Sequence, residues 1–145
     1  MDKAKIKASI PTINDYEICI SPGTSYLLKQ FPPEGVFVKS FPFHIGRIPL
    51  QDEKASFVPN QINLIDRKPF QLSKNHLIID WEKDNFFVLY DVSRLGTIVN
   101  GVRIGKFMKH DRAYLRPGNN TVIAGESYSD YIFNIMILDK MNHFV

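Results

Sequence analysis

Three short segments of the chain carry side chains that suit the binding of a phosphate group. They are Gly46-Arg47, Ser73-Lys74-Asn75-His76 and Ser93-Arg94. Arginine offers a planar fork of N–H donors, lysine a compact positive charge and serine a hydroxyl, and loop backbones add further N–H groups. Each residue type alone is common on protein surfaces, so the prediction depends on all three segments. Together they form a spaced set of groups that is compatible with phosphate binding.

The residue types that carry out catalysis or bind metals give no comparable pattern. The chain has no Gly-x-Ser-x-Gly elbow, no Gly-x-x-x-x-Gly-Lys-Ser/Thr loop and no cysteine–histidine signature. Its carboxylates are scattered without a defensible pair, although a fold can bring two distant carboxylates together. The four histidines lack helical ligand spacing, and none shares a motif with the single Cys19. We therefore predict no enzyme activity, no cofactor and no metal site.

Length and composition indicate one ordinary globular domain. The 145 residues are 44% hydrophobic and 23% charged, and a chain of this length can bury a core without disulfides or metals. A single cysteine permits no intrachain disulfide, so we expect a reducing compartment, the cytoplasm. The formal net charge of +3 is too small to predict a nucleic-acid partner.

The chain ends and the hydropathy pattern give no sign of a membrane segment. No apolar run approaches the roughly 18 residues that a membrane-spanning helix needs. Residues 1–14 are basic but have no apolar core of a secretory signal, and we expect an extension or linker there.

Turn-forming residues recur at short intervals between segments rich in β-branched and aromatic side chains, which is typical of an all-β sandwich or barrel. Asn100-Gly101 between two such segments predicts a type I′ hairpin, and residues 82–85 predict another turn. No window of 11 or more residues keeps a helical period. The stretch from Ile48 to Gln61 is the longest without strand character, and we expect a loop there. Ten strands are predicted, over residues 16–20, 36–38, 43–45, 63–65, 76–80, 86–90, 97–99, 102–104, 121–124 and 131–138.

Four sequence blocks resemble the motifs of forkhead-associated (FHA) domains, in the family order. Residues 43–47 (FHIGR) resemble the Gly-Arg strand end, and residues 72–76 (LSKNH) resemble the Ser-x-x-His motif. Residues 91–101 (DVSRLGTIVNG) look like the loop ending in Gly-Thr-hydrophobic-hydrophobic-Asn-Gly, and residues 115–125 are similar to the segment that follows. The resemblance covers roughly residues 15–140, which leaves a tail over 141–145. It implies an FHA-type β-sandwich of about ten to eleven mostly antiparallel strands, with binding loops at one end.

The resemblance also implies a role for each matching residue. Arg47 would bind the phosphate directly, the Ser73 hydroxyl would donate to a phosphate oxygen, and Lys74 would add a charge. His76 would brace the binding loops through its ring N–H, and Gly46 would let the backbone turn close to the site. Further structural support is assigned to Gly96, Thr97, Asn100 and Gly101, the last two as a hairpin turn rather than a ligand contact.

One position departs from the family pattern. FHA domains usually have an asparagine immediately before Gly-Thr, where it hydrogen-bonds the peptide backbone beside the phosphorylated residue. This chain has Leu95 there, and Arg94 replaces the usual small polar neighbour. Loss of that bond costs on the order of 1–3 kcal/mol if a ligand group stays unpaired. We hypothesise that Arg94 compensates in part by contacting the phosphate or an acidic residue, so Arg94 and Leu95 join the predicted binding set.

The function implied is phosphorylation-dependent protein–protein interaction. The module would bind a phosphorylated protein or peptide, with phosphothreonine preferred, in signalling or as the regulatory part of a larger enzyme. The alternative is a phosphate-independent interaction domain on the same fold. Leu95 favours that alternative, which predicts binding that survives Arg47→Ala. A direct nucleic-acid role would show steep salt dependence without any need for a phosphopeptide.

Overall fold

The computed structural model describes residues 15–49, 54–83 and 86–140. The predicted extension 1–14, the tail 141–145 and half of the predicted turn at 82–85 lie outside the described residues. The strands are β1 (Tyr16–Pro22), β2 (Val36–Phe37), β3 (Phe43–Arg47), β4 (Ser56–Val58), β5 (Gln61–Leu64), β6 (Leu77–Glu82), β7 (Phe86–Asp91), β8 (Thr97–Val99), β9 (Val102–Ile104), β10 (Arg112–Tyr114), β11 (Gly118–Ala124) and β12 (Ile132–Asp139). The four-residue α1 (Ser25–Leu28), the only helix in the described ranges, is far too short to cross a membrane.

The strands form two six-stranded sheets, which confirms the predicted all-β sandwich. The strand order is β2-β1-β12-β11-β8-β9 in one sheet and β10-β7-β6-β3-β5-β4 in the other. Every pair is antiparallel except β3–β5, which is parallel.

Alternating side chains from both sheets fill one hydrophobic core. In β12, for example, Phe133, Ile135 and Ile137 are buried and alternate with half-buried neighbours, as the two-residue period of a strand requires. Phe43 and Phe87 contribute fully buried rings from the second sheet. Burial of each such side chain stabilises the folded state by about 1.5–3 kcal/mol. The resulting core is a rigid base for the loops at the strand ends.

Two strands were not predicted, and both are sheet edges. β4 lies inside the stretch 48–61, so the prediction of an uninterrupted loop there is wrong. β10 follows the β8–β9 hairpin and pairs only with β7. Each has three residues and alternates exposed with half-buried positions, so neither shows the buried alternating pattern by which a strand is identified.

The pairing register gathers three strand ends at one end of the sandwich. Ile45 of β3 is paired with Leu77, the first residue of β6, and Leu77 is paired with Asp91, the last residue of β7. The end of β3, the segment before β6 and the segment after β7 therefore meet. These are the three segments that carry the phosphate-compatible side chains.

Candidate functional site

The end of β3 lies directly against the loop that precedes β6. The Arg47 N–H donates to the Ser73 carbonyl oxygen at 3.0 Å, and the His76 N–H donates to the Ile45 carbonyl oxygen at 3.0 Å. Gly46 lies between these bonds, and a Cβ at this position would overlap the carbonyl oxygen of Lys74. Glycine is therefore needed here for the close approach of two backbones.

Two contacts hold the Arg47 side chain in place. Its Nε–H donates to the Leu72 carbonyl oxygen at 3.1 Å. Its guanidinium carbon lies 3.9 Å from the centre of the Phe70 ring, within the range of a cation–π contact. The two terminal nitrogens make no hydrogen bond within the described residues. These nitrogens can therefore donate hydrogen bonds to a ligand, and the side chain that carries them is already held in place.

Ser73 links the two loops that follow Arg47 in the site. Its Oγ accepts the backbone N–H of Arg94 at 2.9 Å. Because the oxygen acts as acceptor there, its proton remains to be donated, and no acceptor for it lies within the described ranges. The side chains of Lys74 and Arg94 are exposed beside this link.

All five residues predicted to bind the phosphopeptide line one open cleft of about 400 Å³. Three of them are cations, and none of the described lining residues is acidic. The other residues that line the cleft were not predicted from the sequence, and among them Phe70 and Val92 add apolar surface. The cleft lining comprises Arg47, Ser73, Lys74, Arg94 and Leu95 together with Phe70, Gln71, Leu72, Asn75 and Val92.

The completely buried His76 connects the loop before β6 with the loop after β7. Its Nδ1 accepts the Ser73 N–H at 3.1 Å, so the ring proton is on Nε2, which donates to the Gly96 carbonyl oxygen at 3.0 Å. The same carbonyl accepts the Gly125 N–H at 2.9 Å. Only the neutral ring can make both bonds of His76, because a protonated ring has no acceptor for Ser73.

Burial lowers the pKa of His76 from its ordinary value of 6.5, outweighing the opposing effects of the Gly96 carbonyl and Asp91. As the pH falls below about 6.5, the unfolded chain therefore takes up a proton at His76 that the folded protein does not bind. We expect stability to be level above about pH 6.5 and to fall below it, by up to about 1.4 kcal/mol per pH unit. Urea unfolding of the wild type and His76→Gln between pH 5 and 8 checks this. An equally steep fall in the variant would assign the effect to other groups.

Asp91 organises the loop after β7. Its Oδ1 accepts the hydroxyls of Ser93 and Thr97, both at 2.6 Å, and the Ser93 Oγ in turn accepts the Gly96 N–H at 2.8 Å. Gly96 has a φ of 92°, a conformation that a side chain disfavours. This network fixes the backbone on both sides of Arg94-Leu95.

Two further residues that the sequence did not single out hold the loops. Asp66 accepts three backbone N–H groups, those of Arg67, Gln71 and Leu72, each at 2.8 Å. Its position ahead of a Lys-Pro turn is a weak local signal for such a role. Arg103 donates to the Leu95 carbonyl oxygen at 3.0 Å, a contact between β9 and the loop that no sequence pattern reveals.

The Asn100-Gly101 turn lies apart from these contacts. Both residues have positive φ, 50° and 87°, as a type I′ hairpin requires, and β8 pairs with β9 around them. The Asn100 side chain bonds Asn120 and the Thr121 N–H. Neither residue lines the cleft.

Comparison with solved structures finds the same fold in one FHA domain and weaker similarity to further chains. The N-terminal FHA domain of S. cerevisiae Rad53p, in complex with a phosphothreonine peptide, has a TM-score of 0.54 at 20% identity, covering 88% of this chain and 98% of that one. The FHA domain of CT664 from Chlamydia trachomatis has a TM-score of 0.49 at 20% identity, with 86% and 96% covered. Full-length yeast Pml1p has a TM-score of 0.48 at 19% identity, with 93% and 90% covered.

Comparison of the sequence itself gives the family. No curated protein matches the chain. The family model of the FHA domain matches residues 43–125, which are more than half of the chain and include all the residues that line the cleft around Arg47. This protein belongs to the FHA domain family.

Proposed function

We propose that this protein is a phosphopeptide-binding module that recruits a phosphorylated partner protein through the cleft around Arg47. The observation that carries the proposal is a cleft with three cations, a serine hydroxyl and no acidic residue among its described lining, mounted on rigid strand ends. FHA domains are interaction modules rather than enzymes. We accordingly assign no catalytic step to the module, whether it acts alone or as the regulatory part of a larger enzyme.

The recognition would depend on charge-assisted hydrogen bonds to a single phosphate. A phosphorylated residue carries about −1.5 to −2 charges near neutral pH. The free end of the Arg47 guanidinium and the Ser73 hydroxyl would each donate to it, at roughly 1.5–3 kcal/mol per bond to a charged group. Since Leu72 and Phe70 already hold Arg47, binding would cost little side-chain entropy. Micromolar affinity needs about 8 kcal/mol, which this clamp and flanking contacts can supply.

A preference for phosphothreonine over phosphoserine is the finer part of the proposal. Two observations support it. Val92 and Leu95 place apolar surface in the lining of the phosphate cleft, where the threonine methyl group would be buried. The Rad53p domain that shares this fold was solved with a phosphothreonine peptide.

Leu95→Asn is expected to strengthen phosphothreonine-peptide binding by about fivefold, roughly 1 kcal/mol, because asparagine restores a hydrogen bond to the peptide backbone. The side chain is half-buried, and the Arg103 bond to the Leu95 carbonyl does not depend on it. Fluorescence anisotropy with a labelled peptide measures the change. Leu95→Ala is the matched control and should not gain affinity. Equal affinity of Leu95→Asn and the wild type would mean that the peptide backbone does not reach this position.

The second candidate is a phosphate-independent interaction domain, favoured by Leu95 in place of the ligand-binding asparagine. Mapping of backbone amide shifts by NMR during titration with a phosphothreonine peptide pool separates the two. Our proposal predicts shifts concentrated in residues 70–75 and 92–96, and none with the unphosphorylated pool. Equal shifts with both pools, or shifts confined to the β1–β2 edge, would favour the second candidate.

A further inference from the structure

The loop between β9 and β10 exposes two adjacent apolar side chains, which we call the apolar tip. They are Phe107, which is 85% exposed, and Met108, which is 46% exposed. Phe107 is the most exposed of the large hydrophobic residues in the described ranges. Every residue from Lys106 to Arg112 is exposed, so the described fold does not cover the tip. Exposed apolar surface with a polar rim is typical of a contact with a partner.

Backbone hydrogen bonds hold this loop in one shape. The Gly105 carbonyl oxygen accepts the Met108 N–H at 3.1 Å, and the Gly105 N–H donates to the His110 carbonyl oxygen at 2.9 Å. The loop then runs directly into β10, which pairs with β7. Phe107 therefore lies within a closed turn, and the apolar tip is already formed before a partner binds.

Lysine side chains flank the apolar tip on both sides. Lys106 precedes it and Lys109 follows it, and neither forms an ion pair with a described residue. The Lys106 Nζ lies 5.1 Å from the centre of the Phe107 ring. The one carboxylate of the loop, Asp111, lies 3.1 Å from the Arg112 side chain. Three cations against one carboxylate leave the loop with a formal charge of +2.

The apolar tip adjoins the basic cleft around Arg47. Phe107 and Met108 line a smaller cleft of about 220 Å³ together with Arg94 and Leu95. Arg94 and Leu95 also line the larger cleft, whose described lining contains no acidic residue. The lysines of the loop therefore extend a surface that is already positive, and an anionic partner is favoured.

We propose that the loop between β9 and β10 docks this protein on an anionic lipid surface. Phe107 and Met108 would insert at the level of the headgroups, and Lys106 and Lys109 would contact lipid phosphates. A stable protein interface buries about 800 Å² on each partner, and an apolar tip of two residues offers far less. A bilayer surface, in contrast, accepts small protruding apolar groups beside basic residues. This inference does not depend on the proposed function.

The test is co-sedimentation of the protein with lipid vesicles. Vesicles of phosphatidylcholine alone are compared with vesicles in which about one lipid in three is phosphatidylserine. We expect binding to the anionic vesicles to be at least about tenfold stronger, because each lysine near an anionic surface contributes. Binding should weaken as the salt concentration rises, since salt screens this attraction.

Variants of the loop separate its apolar and charged contributions. Phe107→Ser is expected to weaken binding to the anionic vesicles about tenfold, because it removes the inserted ring. The double variant Lys106→Gln with Lys109→Gln should lose about tenfold or more at low salt. Phe107→Trp is the conservative variant, and it should keep vesicle binding, with a fluorescence emission that shifts to shorter wavelength when the anionic vesicles are added.

Matched controls change the same residue types outside the loop. Val102→Ser shortens an apolar side chain of β9 that is 63% exposed. Lys29→Gln combined with Lys39→Gln removes two exposed lysines and lowers the net charge as much as the loop double variant does. Both controls should bind the anionic vesicles as the wild type does.

Three results would overturn the inference. The first is equal binding to neutral and anionic vesicles, or binding to neither. The second is vesicle binding that persists in Phe107→Ser or in the lysine double variant of the loop. The third is vesicle binding that Arg47→Ala abolishes and the loop variants do not, which would assign lipid phosphate to the larger cleft. Titration with a phosphopeptide in the absence of lipid still decides the proposed function by itself.

Discussion

Arg47→Ala is expected to weaken phosphopeptide binding by about 30-fold or more, which corresponds to at least roughly 2 kcal/mol. Arg47 is the one cation of the cleft whose side chain is fixed, by the Leu72 carbonyl and the Phe70 ring. Lys74 and Arg94 are exposed, and their side chains make no hydrogen bond with a described residue, so solvent screening weakens their attraction to the phosphate. Removal of the ordered fork therefore removes most of the phosphate recognition, and calorimetric titration measures the loss.

Two variants control this experiment. Arg47→Lys keeps the charge but loses the planar fork, and we expect an intermediate affinity. Arg116→Ala removes an exposed arginine that does not line the cleft around Arg47, and binding should be unchanged. If Arg47→Ala folds normally and binds the phosphopeptide as the wild type does, the cleft around Arg47 is not the phosphate site.

Gly46→Ala is expected to destabilise the fold by about 2–4 kcal/mol and to abolish phosphopeptide binding as well. The added Cβ would overlap the Lys74 carbonyl oxygen, and that contact can be relieved only by moving the backbone of β3 or of the serine loop. Either movement breaks the Arg47–Ser73 backbone bond that positions the two side chains proposed to bind the phosphate. For a domain of this size the melting temperature should fall by about 5–15 °C.

Gly101→Ala is the matched control for Gly46→Ala. Gly101 has a positive φ of 87°, but beyond its two chain neighbours no described atom would lie within 4 Å of an added Cβ, so alanine there costs only backbone strain, about 1 kcal/mol. Binding should be retained because the turn does not line the cleft. A Gly46→Ala protein that melts no lower than Gly101→Ala would contradict the close backbone approach at the site.

The sequence predicted most of the fold because its signals are local. Alternating apolar residues in β12 and the Asn-Gly turn between β8 and β9 are readable within a few residues, and both are present. β4 and β10 escaped prediction because three-residue edge strands bury little. Their pairing is decided by β5 and β7 rather than by their own side chains.

The candidate site was predictable where its residues belong to short motifs, which includes the supporting residues Gly46 and His76 as well as the residues that line the cleft. Arg47, Ser73, Lys74, Arg94 and Leu95 could be named from short motifs, and the structure brings all five to one cleft. Two further positioning residues, Arg103 and Asp66, belong to no motif and act on the Leu95 carbonyl and the Leu72 N–H. Such bonds depend on the assembled sandwich and leave no spacing in the sequence.

The most direct test of the central claim is calorimetric titration of the wild-type protein with one peptide in three forms. These carry phosphothreonine, phosphoserine or unmodified threonine at the same position. We predict micromolar binding of the phosphothreonine form, weaker binding of the phosphoserine form and no detectable binding of the unmodified peptide. Equal affinity for the phosphothreonine and unmodified forms would contradict the account and would assign this FHA domain to phosphate-independent protein contact.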